Sequence, residues 1–492
     1  ERPRGILADD TVASTSADAV VLYRSALARM RASNWVAAHA ELGRALQADP
    51  TFAPALLRCA LTASFYEGAD AGRVRFREAA RARDRLAPRD RALLPLVEAI
   101  VLTDPPDFEQ TLRRAREVSE AYPDDAELLL LSGFTLVGTE PEFARKNAVR
   151  ALEIDPGYAD AWQMLGGALA TLDRFAEASV ALERCITEGT EGADVVFELA
   201  LLAAVQGDLR SMERHARRGI AVEPNGHFRR FLLGVLFARG ARRAAIAPVI
   251  EQAAATMPPS MRRATAGVYE ASFDILEGDF ASAASRLDAT EIEQDEGGWG
   301  EMLSTKASLR LDLALECGEL KAAGALALAY LDEREARERP SFTLKDLTPL
   351  CAGVAARSGM LHRRDAIAER DAWLSATRDV SLGAAWGLAF APWVDDAAAL
   401  AEARKTMPAP ERFLFFTRDT FRAEAGLVLL RIGEIDHALA RLRVVARACL
   451  APSAPFRSTH ANLWLGEACE ARGLRDEALA AYRTVIARWC RA

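Results

Sequence analysis

Apolar residues recur along this chain at i, i+3, i+4 and i+7, in segments of about a dozen residues, the pattern of amphipathic helices. The segments come in pairs, and the pairs repeat. Leu131, Leu165, Leu199 and Leu233 stand 34 residues apart, and a small residue follows each: Ser132, Gly166, Ala200 and Gly234. A second ladder, Ala144, Ala178, Met212 and Ile246, keeps the same period. Small residues at these positions predict that the two helices of a unit approach closely. A turn separates them, as in Gly207-Asp208, and a proline such as Pro156, Pro224 or Pro258 closes the unit. On this register Gly166 and Gly234 sit where helices touch, and Gly189 lies outside the contact.

Carried along the chain, the frame predicts helical pairs starting near Ala19, Ala53, Ala92, Asp125, Ala159, Ala193 and His227. From Ala264 it slips, and later pairs start near Ala264, Ser304, Lys345, Asp379, Asp419 and Thr459. Glycines mark most of the later turns: Gly278, Gly318, Gly359, Gly433 and Gly473. The expected organisation is a linker at 1–18, a regular superhelix at 19–258, and less regular repeats at 259–492. Residues 290–300 (acidic, with one Trp) read as a solvated turn between units or, alternatively, a docking loop; 333–340 reads as a charged helix end or linker, and 407–411 and 450–455 read as proline-marked connections.

The pattern resembles the tetratricopeptide repeat. Trp162, Leu165, Gly166, Leu169, Phe175, Ala178, Leu182 and Cys185 match that family's consensus, and so do Leu465, Gly466, Gly473, Ala478, Tyr482 and Val485. The resemblance implies an all-α, right-handed α-solenoid of about thirteen stacked helical hairpins, each burying its apolar face against its neighbours.

Composition narrows the function. Net charge is −8 with acids and bases interleaved, which argues against a nucleic-acid binder, since phosphate contacts need a concentrated positive face. No apolar run reaches the ~18 residues that a membrane span needs. Seven cysteines without a CxxC pair, in so long a chain, point to a reducing cytoplasm. Cys59, Cys185, Cys351 and Cys469 fall on core positions of the frame. The six histidines are scattered, so no metal or cofactor is expected. There is no GxxxxGK[ST], GxSxG, HRD or DFG motif, so the chain reads as a non-enzyme. Three arginine clusters, at 73–91, at 215–218 with Arg229 and Arg230, and at 239–243, read as solvated helix faces; the second also suits an anion or phosphopeptide pocket.

In the repeat family, the fifth and ninth positions of each first helix line the concave groove, and some members grip a peptide C-terminus there with Lys, Asn and Arg. The matching residues are Leu96 and Ile100, Leu129 and Gly133, Gln163 and Gly167, Phe197 and Leu201, and Phe231 and Val235. None is Lys or Asn, so an acidic C-terminal peptide is not the expected ligand. The residues form an apolar stripe instead. Two readings follow: the stripe is covered by the chain itself, or it is a groove for an amphipathic helix, with Gly133 and Gly167 forming a hollow flanked by Gln163 and Phe197.

Residues 19–103, with an ADPTFAPA segment followed by LAPRDRALL, resemble the repeat half of bacterial multidomain regulators, either eukaryote-like serine/threonine kinases or winged-helix regulators. That resemblance implies a regulatory half detached from its catalytic or DNA-binding partner. The expected function is a protein–protein interaction scaffold in bacterial signalling. The alternative is a ligand-sensing region that controls an attached domain.

Overall fold

The computed structural model describes residues 14, 16–102, 108–224, 227–290, 300–335, 347–376, 382–408 and 423–490, and holds 26 α-helices among them. They form thirteen helical hairpins of tetratricopeptide type. By its internal contacts the chain divides into two compact units, Glu1–Glu198 and Leu199–Ala492.

The first unit pairs α1 (Ala17–Arg31) with α2 (Trp35–Ala48), α3 (Ala53–Tyr66) with α4 (Ala69–Arg81), and α5 (Pro88–Val101) with α6 (Phe108–Ala121). It continues with α7 (Ala126–Phe134) and α8 (Pro141–Ile154), then α9 (Ala159–Thr171) and α10 (Phe175–Glu188). The division between units falls within α11 (Ala193–Gln206), whose partner is α12 (Leu209–Val222). Then follow α13 (Arg229–Ala238), α14 (Arg243–Ala255), α15 (Pro259–Leu276), α16 (Phe280–Ala289), α17 (Gly300–Glu316) and α18 (Leu320–Glu335). The last eight are α19 (Thr348–Arg357), α20 (Arg363–Ala376), α21 (Leu382–Phe390), α22 (Ala397–Lys405), α23 (Glu424–Arg431), α24 (Ile435–Arg447), α25 (Pro455–Arg472) and α26 (Arg475–Trp489).

First helices begin at or beside the residues that the periodicity predicts at Ala53, Asp125, Ala159 and Ala193. Two of the starts that differ are set by proline: Pro88 opens α5 four residues ahead of Ala92, and Pro259 opens α15 ahead of Ala264. Proline suits a first helical turn because its φ is already helical and its missing N–H has no helical partner there. Side chains cap other starts. Asn34 Oδ1 accepts from the Ala37 amide at 3.1 Å, and Asp125 Oδ1 accepts from the Glu127 and Leu128 amides, both at 3.1 Å.

The turn inside most hairpins is a left-handed glycine cap. Gly207, Gly240, Gly278, Gly318, Gly359, Gly433 and Gly473 take φ between +66° and +85°. Two hairpins place another residue in that slot, Ser33 (φ 58°) and Asp173 (φ 60°), with the same reverse hydrogen bonds. Thus the Asn34 amide donates to Arg29 O at 2.9 Å, as the Leu474 amide donates to Cys469 O at 2.8 Å. An L-residue is strained in that conformation, so the serine needs a reason to be there.

The small-residue ladder packs as its spacing requires. A Cβ on Gly166 would stand 2.6 Å from Leu182. Gly189 departs from expectation: its Cβ would meet Ala159 Cβ at 2.4 Å and Ala32 O at 2.7 Å, so it too is a close-contact glycine. Cys59, Cys185, Cys351 and Cys469 are buried. Of the expected interruptions, most of 290–300, 333–340 and 407–411 lies outside the described residues, whereas 450–455 is a short helical turn leading into α25.

Candidate functional site

The apolar stripe predicted to line a groove is core. Leu96, Ile100, Leu129, Leu201, Phe231 and Val235 are all buried, and so are Gly133 and Gly167; only Gln163 and Phe197 are half-buried. The expected hollow at Gly133 and Gly167 is filled. A Cβ on Gly133 would stand 2.8 Å from Met164 Sδ, and one on Gly167 would stand 3.1 Å from Val137 Cγ1. The open-groove reading is therefore corrected: neighbouring hairpins and a returning loop occupy that face.

In the first unit the returning loop is the turn between α1 and α2. In a straight array each hairpin touches only its neighbours. Here the first hairpin also meets the fifth. Arg31 donates from Nε and Nη2 to both oxygens of Asp155 at 2.7 Å, across 124 residues of sequence. The Thr190 amide donates to Ala32 O at 3.0 Å. The Ser33 hydroxyl reaches Asp160 Oδ1 at 3.0 Å and touches Gln163 Oε1. This accounts for serine in the glycine slot: its hydroxyl closes the stack, and glycine would have none. The two glycines beside the joint, Gly157 and Gly189, leave room for Arg31 and Ala32.

Asp160 is buried in this joint, and its Oδ2 makes no hydrogen bond among the described residues. Burial raises its pKa to about 7, and the nearby Trp35 and Ser33 side chains pull it back only in part.

Behind the joint lies an ion cluster that sequence reasoning missed. Arg58 of α3 donates to Glu127 of α7 at 2.8 Å and to Asp90 of α5 at 2.9 Å, and all three are buried. Arg89 adds bonds to Asp125 at 2.8 Å and to Glu127. Burial alone would raise the Glu127 pKa, but Arg58 and Arg89 outweigh it and hold the carboxyl at about 2. The cluster pins the first helices of three consecutive hairpins. Its signal was present: Arg58 and Glu127 each stand among apolar neighbours, where a charge needs a partner.

The second unit closes on itself as well. The Cys449 amide donates to Ala204 O at 3.1 Å, and a Cβ on Gly234 would collide with Cys449 O. Trp489 of α26 donates to Ile275 O of α15 at 2.9 Å, and His460 of α25 meets Glu316 of α17 at 2.6 Å.

An aromatic cluster remains on the surface of the first unit. Trp35 stacks on Phe134 with centroids 5.2 Å apart, Phe65 meets Phe134 edge-on at 5.6 Å, and His39 lies 5.4 Å from Tyr66. Phe65 is 53% exposed, Tyr66 43% and the adjoining Val36 64%. Both His39 nitrogens are engaged, by Thr62 Oγ1 at 2.9 Å and Glu67 at 3.0 Å.

The arginine clusters are largely paired. Arg239 and Arg217 share Glu213, Arg243 binds Asp274 and Glu277, and His215 is buried rather than part of a solvated face. Among the described residues no group of His, Cys, Asp and Glu is arranged to hold a metal ion, and no helix is long and apolar enough to cross a membrane.

No family model and no curated protein matches the chain. Solved structures that align with it include PilF of Pseudomonas aeruginosa, at 17% identity over 43% of this chain and 94% of that one, with a TM-score of 0.27. A tetratricopeptide repeat protein from Parabacteroides merdae aligns at 14% identity over 59% of this chain and 98% of its own, with a TM-score of 0.28. The human IFIT1 dimer with m7Gppp-AAAA aligns at 12% identity over 88% of this chain and 89% of its own, with a TM-score of 0.34. The tetratricopeptide character of this chain rests on its own register, glycine caps and hairpins.

Proposed function

We propose that this chain is a protein–protein interaction scaffold that meets its partner through the aromatic edge of the first unit rather than through an open concave groove. The observation that carries the reading is the exposure of Phe65, Tyr66 and Val36 beside Trp35 and Phe134, while the inner stripe is buried. Single exposed hydrophobes are ordinary on a protein surface, but joined aromatics are the residues that dominate binding energy at interfaces. Phe134, Trp35 and His39 hold this edge in place, so a partner loses little entropy ordering it. A polypeptide with its own apolar side chains fits such an edge; a free nucleotide or sugar would need more polar donors. Placement of the chain beside a kinase or winged-helix half in a bacterial signalling protein rests only on the resemblance of residues 19–103.

The test is affinity capture from the source cells with the native chain and with Phe65→Ser/Tyr66→Ser, both checked for folding by circular dichroism. The native chain should enrich a polypeptide that cross-links to residues 35–66, and the double variant should lose it. Equal recovery by both would remove the aromatic edge from the interface. Enrichment through cross-links elsewhere would leave a scaffold with a different docking face.

A further inference from the structure

Arg488 of α26 carries a charge in the second unit that no described carboxylate balances. Its Nη1 donates to the hydroxyls of Ser458 and Thr459 of α25, both at 3.1 Å. The guanidinium carbon stands 5.5 Å over the Phe237 ring of α13. The side chain is half-buried, while Thr459 and Ser458 are buried. Burial pushes the Arg488 pKa down to about 10, and no acidic group acts against it. Other arginines of this unit are answered by acids: Arg457 by Glu424, Arg443 by both oxygens of Glu477, and Arg286 by Asp274 and Glu270. A guanidinium taken partly out of water with only hydroxyls for company is held at a cost that a counter-charge would offset.

The hydrogen-bond inventory shows what kind of counter-charge fits. The Thr459 hydroxyl already donates to Pro455 O at 3.0 Å, so toward Arg488 it only accepts. The Ser458 hydroxyl accepts from Arg488, and its own proton has no acceptor among the described residues. Arg488 Nε and Nη2 make no hydrogen bond among the described residues either. These groups are donors around a fixed cation. The guanidinium fork matches two oxygens of a planar or tetrahedral oxyanion, which a halide cannot offer. The ring of Phe237 supplies a low-dielectric wall that strengthens such a bond.

We propose that Arg488 and Ser458 form a binding site for a small oxyanion, a phosphate or carboxylate group, at the place where α13, α25 and α26 meet. This site is separate from the aromatic edge, and neither depends on the other. Because it joins α13 to the last hairpin of the second unit, an anion bound there tightens that closure.

The test uses the full chain, with thermal unfolding at constant ionic strength in chloride, inorganic phosphate or acetate, and with calorimetric titration of phosphate and of acetate into the folded protein. The native chain should gain Tm in a saturable way with phosphate or acetate over chloride, and calorimetry should show one saturable site. Whichever anion acts identifies the group. Arg488→Met removes the unbalanced charge, so without oxyanion it should melt no lower than the native chain, and it should show no oxyanion response. Ser458→Ala should keep the fold and weaken binding several-fold. The proposal is overturned if the native chain binds neither anion by calorimetry, whatever the variants do. It is equally overturned if Arg488→Met keeps the native response. A methionine variant that melts lower, with a native chain indifferent to both anions, would make Arg488 a structural bridge.

Discussion

Asp160→Asn tests the joint of the first unit at its most sensitive atom. With a pKa near 7 in the folded chain and near 3.8 when unfolded, Asp160 binds its proton more tightly folded. Its contribution is therefore fully present below pH 3.8, declines as pH rises, and is lost above pH 7. Between pH 6 and pH 8 the two pKa values imply a loss on the order of 1 kcal/mol, out of a total of roughly 4 kcal/mol. Asparagine keeps an oxygen for the Ser33 hydroxyl and cannot ionise beside Trp35, Gln163 and Cys185. The variant should therefore be more stable than the native chain at pH 8, with an advantage on the order of 1 kcal/mol smaller at pH 6. The assay is urea unfolding followed by fluorine NMR of protein labelled with 5-fluorotryptophan, with the Trp35 resonance assigned by its loss in Trp35→Phe. Trp35 opens α2 and its side chain acts on the Asp160 carboxyl, so its resonance reports the joint itself. An advantage that is the same at both pH values, or a variant less stable than native at pH 8, would refute the reasoning.

Other outcomes follow from the same geometry. Glu127→Gln leaves Arg58 and Arg89 short of a buried partner and should cost about 3–5 kcal/mol in urea unfolding of the first unit. Gly166→Leu and Gly189→Leu should each cost about 1–3 kcal/mol, since both glycines stand against a neighbour; a silent Gly189→Leu would mean that the first hairpin does not seat there. A maleimide should label Cys317 and Cys490 quickly in the native chain and spare Cys185 and Cys469 until unfolding, because burial excludes the reagent and raises those two thiols to about 12 and about 11.

The hairpins were legible because their information is local. Small residues repeat where helices touch, glycines fill the left-handed caps, and prolines sit at first turns; each acts within one or two units. The stripe of Leu96, Leu129, Phe231 and their neighbours correctly signalled a face unfit for water. What covers it was not legible. Arg31 finds Asp155 across 124 residues and Ser33 finds Asp160 across 127, and those meetings depend on a small rotation added at every hairpin. No local pattern encodes such a sum. Traces were nonetheless in the sequence: Ser33 in a slot that seven other hairpins give to glycine, and Arg58 and Glu127 inside apolar helices. The misplacement of Gly189 has the same origin, since its close neighbour Ala32 comes from the far end of the unit.

The central claim is that each unit closes on itself, and two backbone amides test it directly. Thr190 N–H and Cys449 N–H lie outside helices, and their acceptors, Ala32 O and Ala204 O, are supplied only by closure. Single-residue hydrogen exchange on the native chain should find both amides protected well beyond the neighbouring turn residues. Arg31→Ala should release Thr190 and leave Cys449 unchanged. Exchange of both amides at the rate of an unstructured chain would contradict closure and return the inner face to solvent.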